Sequence, residues 1–296
     1  MKLGLVGATG FVGQEIAKVA HAAGHQVIGY SRSEQSPTEH VSEWRESGNY
    51  DFTGIDAVIS VTGYSIDRLW TDANKKKFHE SRVGVTEQIV SALHCLPNDE
   101  RPKVLVNASA VGYYGDSGDD ILYDVREPGS DYLAQLCVDW EEALWPVEDL
   151  GVRAVAVRIG VVLGEGGAAF EKMKTAFQLG VGGKMGDGQQ WMPWVHVHDL
   201  ARAFVYAVEN ESLQGPVNGC APEPERNVDL TKKLAKSLSR PAFFTVPAFV
   251  LKAVGGFGNM LLASLRAVPK ALLSAGFTFQ FQTLEAALSD LVSDDK

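Results

Sequence analysis

Gly7-Ala8-Thr9-Gly10-Phe11-Val12-Gly13 carries three glycines at intervals of three, and that spacing suggests chemistry. The first glycine permits a tight turn, the second lets bare backbone approach a ligand, and the third lets a helix pack closely on a strand. Free amides at the start of a helix then present partial positive charge, which suits a diphosphate. The motif gains meaning only from a strand before it and a helix after it. Leu3–Val6 reads as that strand and Gly13–Ala23 as that helix. The turn therefore reads as a dinucleotide site formed by Gly7, Thr9, Gly10, Phe11, Val12 and Gly13, with Gly63 and Arg158 expected as further contacts.

The end of the second strand decides which dinucleotide. A carboxylate there holds a ribose 2′-hydroxyl and repels a 2′-phosphate. This chain instead has Tyr30-Ser31-Arg32-Ser33, with no acid before Glu34. Arg32 can pair with a 2′-phosphate and Ser31 can donate to it, so the expected cofactor is NADP(H) rather than NAD(H). The alternative is an exposed loop arginine with no such task.

The elements that must position these residues alternate between strand and helix along the chain. Gln26–Tyr30, Ala57–Val61, Lys103–Ala108 and Val152–Ile159 read as buried strands. Asn74–Leu93 and Leu133–Leu150 read as helices, the latter with apolar residues at three-and-four spacing. Such alternation predicts an α/β fold, a doubly wound (Rossmann) parallel sheet covered by helices. Beyond Gly160 the pattern becomes glycine-rich, with a helix over Ala169–Leu179, a brief strand at Trp194–Val197, and Asp199 as the expected cap of a helix over Leu200–Val208. Residues 1–240 are expected to form the cofactor domain, with segments at about 160–200 covering the substrate, and 241–296 a small C-terminal helical appendage.

Bulk properties narrow the class. A chain of 296 residues with 45% hydrophobic and 22% charged residues matches an ordinary globular protein. A net charge of -10 argues against nucleic acid, which requires a concentrated basic face. Cys95, Cys137 and Cys220 form neither a disulfide framework nor a metal cluster, so no metal is expected. Met1-Lys2 runs straight into the first strand, and the apolar stretch Ala242–Leu265 is broken by Pro247, Lys252 and Gly255-Gly256-Phe257-Gly258. A cytoplasmic protein with no transmembrane segment is the expectation, with an oligomer left open.

In order along almost the whole chain, GATGFVG (7–13), DAVISVTG (56–63), ESRVGVTEQIV (80–90), NASAVGYYGD (107–116), DWEEA (139–143), RIGVVLGEGGAAFEKM (158–173), GGKMGDGQQWMPWVHVHDLARA (182–203), NGCAPEP (218–224) and VPKALLSAGFTF (268–279) resemble the short-chain dehydrogenase/reductase superfamily. More narrowly the chain resembles its epimerase-like branch of largely unknown function, which carries a distinctive C-terminal segment. The resemblance implies a serine after the KVLVNA strand and a Tyr-x-x-x-Lys pair on the next helix, the lysine lowering the tyrosine pKa from about 10. Ser109 matches the serine and Tyr132 lies where the tyrosine belongs, but Leu136 stands four residues later, and no tyrosine of the chain has a lysine at that spacing.

Three readings follow. Ser109 and Tyr132 work without the lysine; or another group among Tyr113, Tyr114, Asp116 and Glu141 supplies the proton; or the protein binds NADP(H) as a sensor or partner-binding module without turnover. On the substrate side, the resemblance implies an arginine shortly before an aromatic-Val-His-Val pattern to grip a nucleotide-sugar diphosphate. Met192 holds that position and lacks the charge, so an unidentified small molecule in an aromatic-walled pocket is favoured over a nucleotide sugar.

Overall fold

Short apolar runs, too brief for helices and rich in Val and Ile, pair side by side because each can bury both faces under helices. The computed structural model describes residues 1–292. β1 (Lys2–Val6), β2 (Gln26–Ser31), β3 (Glu43–Glu46), β4 (Ala57–Ser60) and β5 (Val104–Ala110) are parallel neighbours in the order β5-β4-β1-β2-β3. After the two-residue β6 (Ile121–Leu122), β7 (Arg153–Ile159) adds beside β5. Short β8 (Val161–Leu163), β9 (Gly183–Met185), β10 (Trp191–Met192) and β11 (Trp194–His196) lie outside this sheet, and β12 (Gly215–Gly219) closes its edge beside β7. The result is the expected doubly wound parallel sheet, seven strands wide. The sequence reading missed β3, whose Glu-Trp-Arg-Glu lacks an apolar run because it is an edge strand.

The pleat of the strands explains the core. Val104 and Val106 join one apolar cluster and Leu105 another, as period-two alternation requires. α1 (Phe11–Ala22) crosses from β1 to β2. The single helix expected over Asn74–Leu93 is instead α2 (Asp72–His79) and α3 (Val85–His94), joined by a π-helical turn at Glu80–Gly84. α4 (Tyr132–Glu142) starts at Asp131, whose carboxylate accepts from the Ala134 amide at 2.9 Å, and ends before Trp145-Pro146, where the chain continues as a 3-10 turn. The helix predicted to reach Leu150 therefore stops short.

α5 (Ala168–Gln178) and α6 (Val197–Glu209) follow. α6 is capped by His196, whose ring accepts from the His198 amide at 3.2 Å. Asp199 is not the cap. It is fully buried, and its carboxylate accepts from the Gln280 and Phe281 amides at 2.9 and 2.7 Å while pairing with Arg202. That buried carboxylate fastens the C-terminal segment to α6. The segment is woven in elsewhere too: Phe244–Val246 pairs with β9, Arg266–Ala267 pairs with β6, and Phe277 and Phe279 enter the main core. The broken apolar stretch forms two short helices, Ala248–Ala253 and Gly256–Leu262, and no described helix is long and apolar enough to cross a membrane.

Candidate active site

The glycine turn has the shape that a diphosphate needs. Gly7 adopts φ +92°, and a Cβ there would lie 2.9 Å from the Val61 carbonyl oxygen. At Gly13 a Cβ would lie 2.1 Å from the Gly7 oxygen, so only glycine lets α1 sit this close to β1. Gly10 caps α1 in extended conformation with no side-chain hydrogen bond and no acid in the first turn. The first-turn amides are thus left for a ligand, and the first turn carries no acid to repel an anion. A dinucleotide phosphate fits this cradle on geometry and charge alike.

Ser31 ends β2, and its hydroxyl accepts from the Ser33 amide at 3.3 Å. Arg32 follows in the exposed loop, with no carboxylate partner among the described residues. Thr9 is exposed and its carbonyl accepts from Gln14 Nε2 at 3.1 Å. Val12 packs on the core, while the Phe11 ring lies where a Cβ on Gly164 or Gly167 would be only 2.7 Å away.

From Phe11 a cavity of about 880 Å³ runs to Tyr132, Cys137 and the Trp191-Met192-Pro193 wall. Trp70, Leu136 and Trp140 make much of it apolar. Tyr132, the first residue of α4, is half-buried; its hydroxyl makes a long 3.5 Å contact with the Lys75 carbonyl, and the Lys75 ammonium lies 4.9 Å from its ring centroid. Burial raises its phenol pKa, partly countered by the nearby Arg82. Leu136 is 4% exposed in the cavity wall, so this position supplies no charge. Cys137 also lines the cavity, and burial pushes its thiol up to about 12, which keeps it protonated.

Several expected residues lie elsewhere. Ser109 is 2% exposed and donates to Glu141 Oε1 at 2.7 Å. Glu141, considered as an acid, forms a bidentate pair with Arg158, with Nε–Oε1 and Nη2–Oε2 both 2.8 Å. Arg158, expected at the cofactor, is 2% exposed; it also donates to the Tyr114 hydroxyl and the Asp124 carbonyl, and the Tyr113 ring stacks 3.4 Å from its Cζ. Its guanidinium is therefore committed to holding α4 against β5 and β7, and it is not among the cavity-lining residues. Tyr114 donates to Asn218 Oδ1 at 2.6 Å, and burial pushes its phenol up to about 12. Asp116 reaches the cavity rim, where it accepts from the Ser264 amide at 3.0 Å.

Sequence reasoning missed three arginines. Arg226 and Arg266 each lie 4.5 Å from the Trp191 ring centroid, so this wall is flanked by cations although Met192 replaces the expected arginine. Both are remote in sequence from that motif. Arg82, on the π-helical turn, lines the cavity beside Gly63, where a Cβ would lie 3.0 Å from Arg82 Nη2. A helix reading by period alone hides it, because the π turn changes which residues face inward.

This parallel sheet, glycine turn and cleft define a nucleotide-binding class of α/β protein, and comparison with known proteins makes it specific. Residues 4–218 match the NAD dependent epimerase/dehydratase family, to which the chain belongs, and residues 246–291 match a domain of unknown function, DUF1731. An epimerase family protein of Mycobacterium bovis is 36% identical over 96% of this chain and 95% of its own length. The epimerase family protein YfhF of Bacillus subtilis is 35% identical over 100% and 99%. The crystal structure of human epimerase family protein SDR39U1 (isoform2) with NADPH superposes with a TM-score of 0.90 at 30% identity, covering 99% of this chain and 100% of that one.

Proposed function

We propose that this protein is an NADP(H)-dependent oxidoreductase or epimerase-like enzyme acting on a small molecule in a reducing, cytoplasmic compartment. One observation carries the reading: a single cavity runs from Phe11, the first residue of α1 after the glycine turn, to Tyr132. NADPH in the similar human structure supports the choice of cofactor, as does Arg32 in a segment that carries no acid before Glu34. The three unpaired cysteines are consistent with the compartment.

When bound, the cofactor supplies or accepts a hydride. The chain's own groups do the rest. The amides of α1 hold the diphosphate, Arg32 and Ser31 hold the 2′-phosphate, and the Trp and Leu walls exclude water. Tyr132 exchanges a proton with the reacting oxygen. Ser109 acts at one remove, fixing Glu141 and so the seat of α4. Tyr132→Phe is expected to reduce turnover about 10²-fold or more while leaving NADPH affinity unchanged. Screening a panel of carbonyls and alcohols with both forms checks this, and equal rates would remove the tyrosine from the chemistry.

A second reading is a sensor or partner-binding protein that holds NADP(H) without turnover. Leu136 at the lysine position and the engagement of Ser109 by Glu141 favour it. Under this reading the cofactor binds and its redox state is unchanged by every member of the panel.

A further inference from the structure

The geometry points to Arg82 as the seat of a carboxylate on the substrate, so that the cavity takes an apolar or aromatic organic acid. This deepens the enzymatic reading and rests on the cavity being the substrate site.

Arg82 is a half-buried, cavity-lining cation whose protein partners among the described residues are all neutral. Nη1 donates to the carbonyls of Tyr64 and Phe78 at 3.0 and 3.3 Å and to Ser81 Oγ at 3.4 Å. Nε and Nη2 have no protein acceptor among the described residues, and no described carboxylate lies within ion-pair distance. Arg158 shows the contrast: it has the Glu141 carboxylate on both Nε and Nη2. A guanidinium keeps its proton at any working pH, so a charge partly withdrawn from water with no carboxylate beside it favours a ligand that supplies the counter-charge. The Nε–Nη2 edge is the fork that a carboxylate fits with two parallel hydrogen bonds.

The surroundings define the rest of the ligand. The Arg82 guanidinium lies 5.3 Å from the Trp140 ring centroid, and Trp70 and Leu136 continue the apolar wall. The two described acids in the lining are both occupied, Asp131 with the Ala134 amide and Asp116 with the Ser264 amide. Cofactor diphosphate already has the amides of α1, whereas Arg82 sits beside Tyr132, where the reacting end of a substrate belongs. Gly63 has a purpose in this arrangement, since a side chain there would press on Nη2.

The test is calorimetric titration of the NADPH-loaded protein with cinnamate and with cinnamyl alcohol, two probes of one shape that differ in charge. Cinnamate is expected to bind at least about tenfold more tightly, a difference near 1.4 kcal/mol. Arg82→Gln is expected to erase that preference with alcohol and NADPH affinities kept within about twofold, and Arg82→Lys to retain part of it. Gly63→Ala, which leaves the charge in place but crowds Nη2, is expected to weaken cinnamate more than cinnamyl alcohol. Equal affinity for the two probes in the unaltered protein, no cinnamate binding, or an unchanged preference in Arg82→Gln or Gly63→Ala would overturn the assignment. The same pair titrated without NADPH separates the two ideas: a preference for cinnamate in a protein that binds no NADPH upholds Arg82 and removes the cofactor reading.

Discussion

Arg32 stands where the second strand ends, and its charge is the one feature there that tells a 2′-phosphate from a 2′-hydroxyl. Arg32→Glu is expected to weaken NADPH by about tenfold or more and to leave NADH unchanged or tighter, as a charge reversal against a phosphate requires. Paired titrations check this, and an undiminished preference for NADPH would remove Arg32 from the site. At this scale the sequence was legible for the glycines, because strand, turn and helix are adjacent in the chain. It was less legible for Ser109, Glu141 and Arg158. Each carries a functional group typical of a site, yet the three satisfy one another in the interior. Pairing across 17 to 32 residues is a property of the fold and leaves no local pattern to read.

Elements carry the positional precision. α4 presents Tyr132 to the cavity, and the buried Glu141–Arg158 pair sets how that helix lies on β5 and β7. Removing one partner leaves the other charge buried, so Glu141→Ala is expected to cost about 3–5 kcal/mol of stability. Urea unfolding measures it, and a loss below about 1 kcal/mol would contradict a structural role for the pair. α1 and α6 are joined by Glu15 and His198 at 2.9 Å. That hydrogen bond holds the Glu15 carboxyl down at about 2 from an ordinary 4.5. A depressed pKa stabilises the fold fully above the ordinary value, and the contribution is lost as pH falls through the native one. Unfolding curves of Glu15→Gln and the unaltered chain are therefore expected to converge as pH drops from 4.5 toward 2. A constant gap across that window would show that the contact adds nothing. Helix periodicity located α2 and α3 but not the π turn between them, because one inserted residue changes the facing side chains without changing composition.

The whole molecule is a sheet whose binding edge is closed by residues far apart in the chain. Phe11, Tyr132, Trp191 and Met260 share one cavity, so the site exists only when the C-terminal segment returns to the core. Asp199 makes that return specific by accepting two amides of the Gln280–Phe281 backbone. Sequence reading gave Asp199 a local task, as a helix cap, since the partners that bury it lie more than 80 residues onward. The central parallel strands β1, β2, β4, β5 and β7, by contrast, were readable because each is an apolar run bounded by glycine or polar residues, which the edge strands β3 and β12 are not. The proposed function requires a dinucleotide to enter this cleft with a preference for the 2′-phosphate. Fluorescence titration of the purified protein with NADPH and NADH tests it most directly. Saturable binding of NADPH, about tenfold or more tighter than NADH, is the predicted result. Binding of neither nucleotide, or equal binding of both, would contradict it.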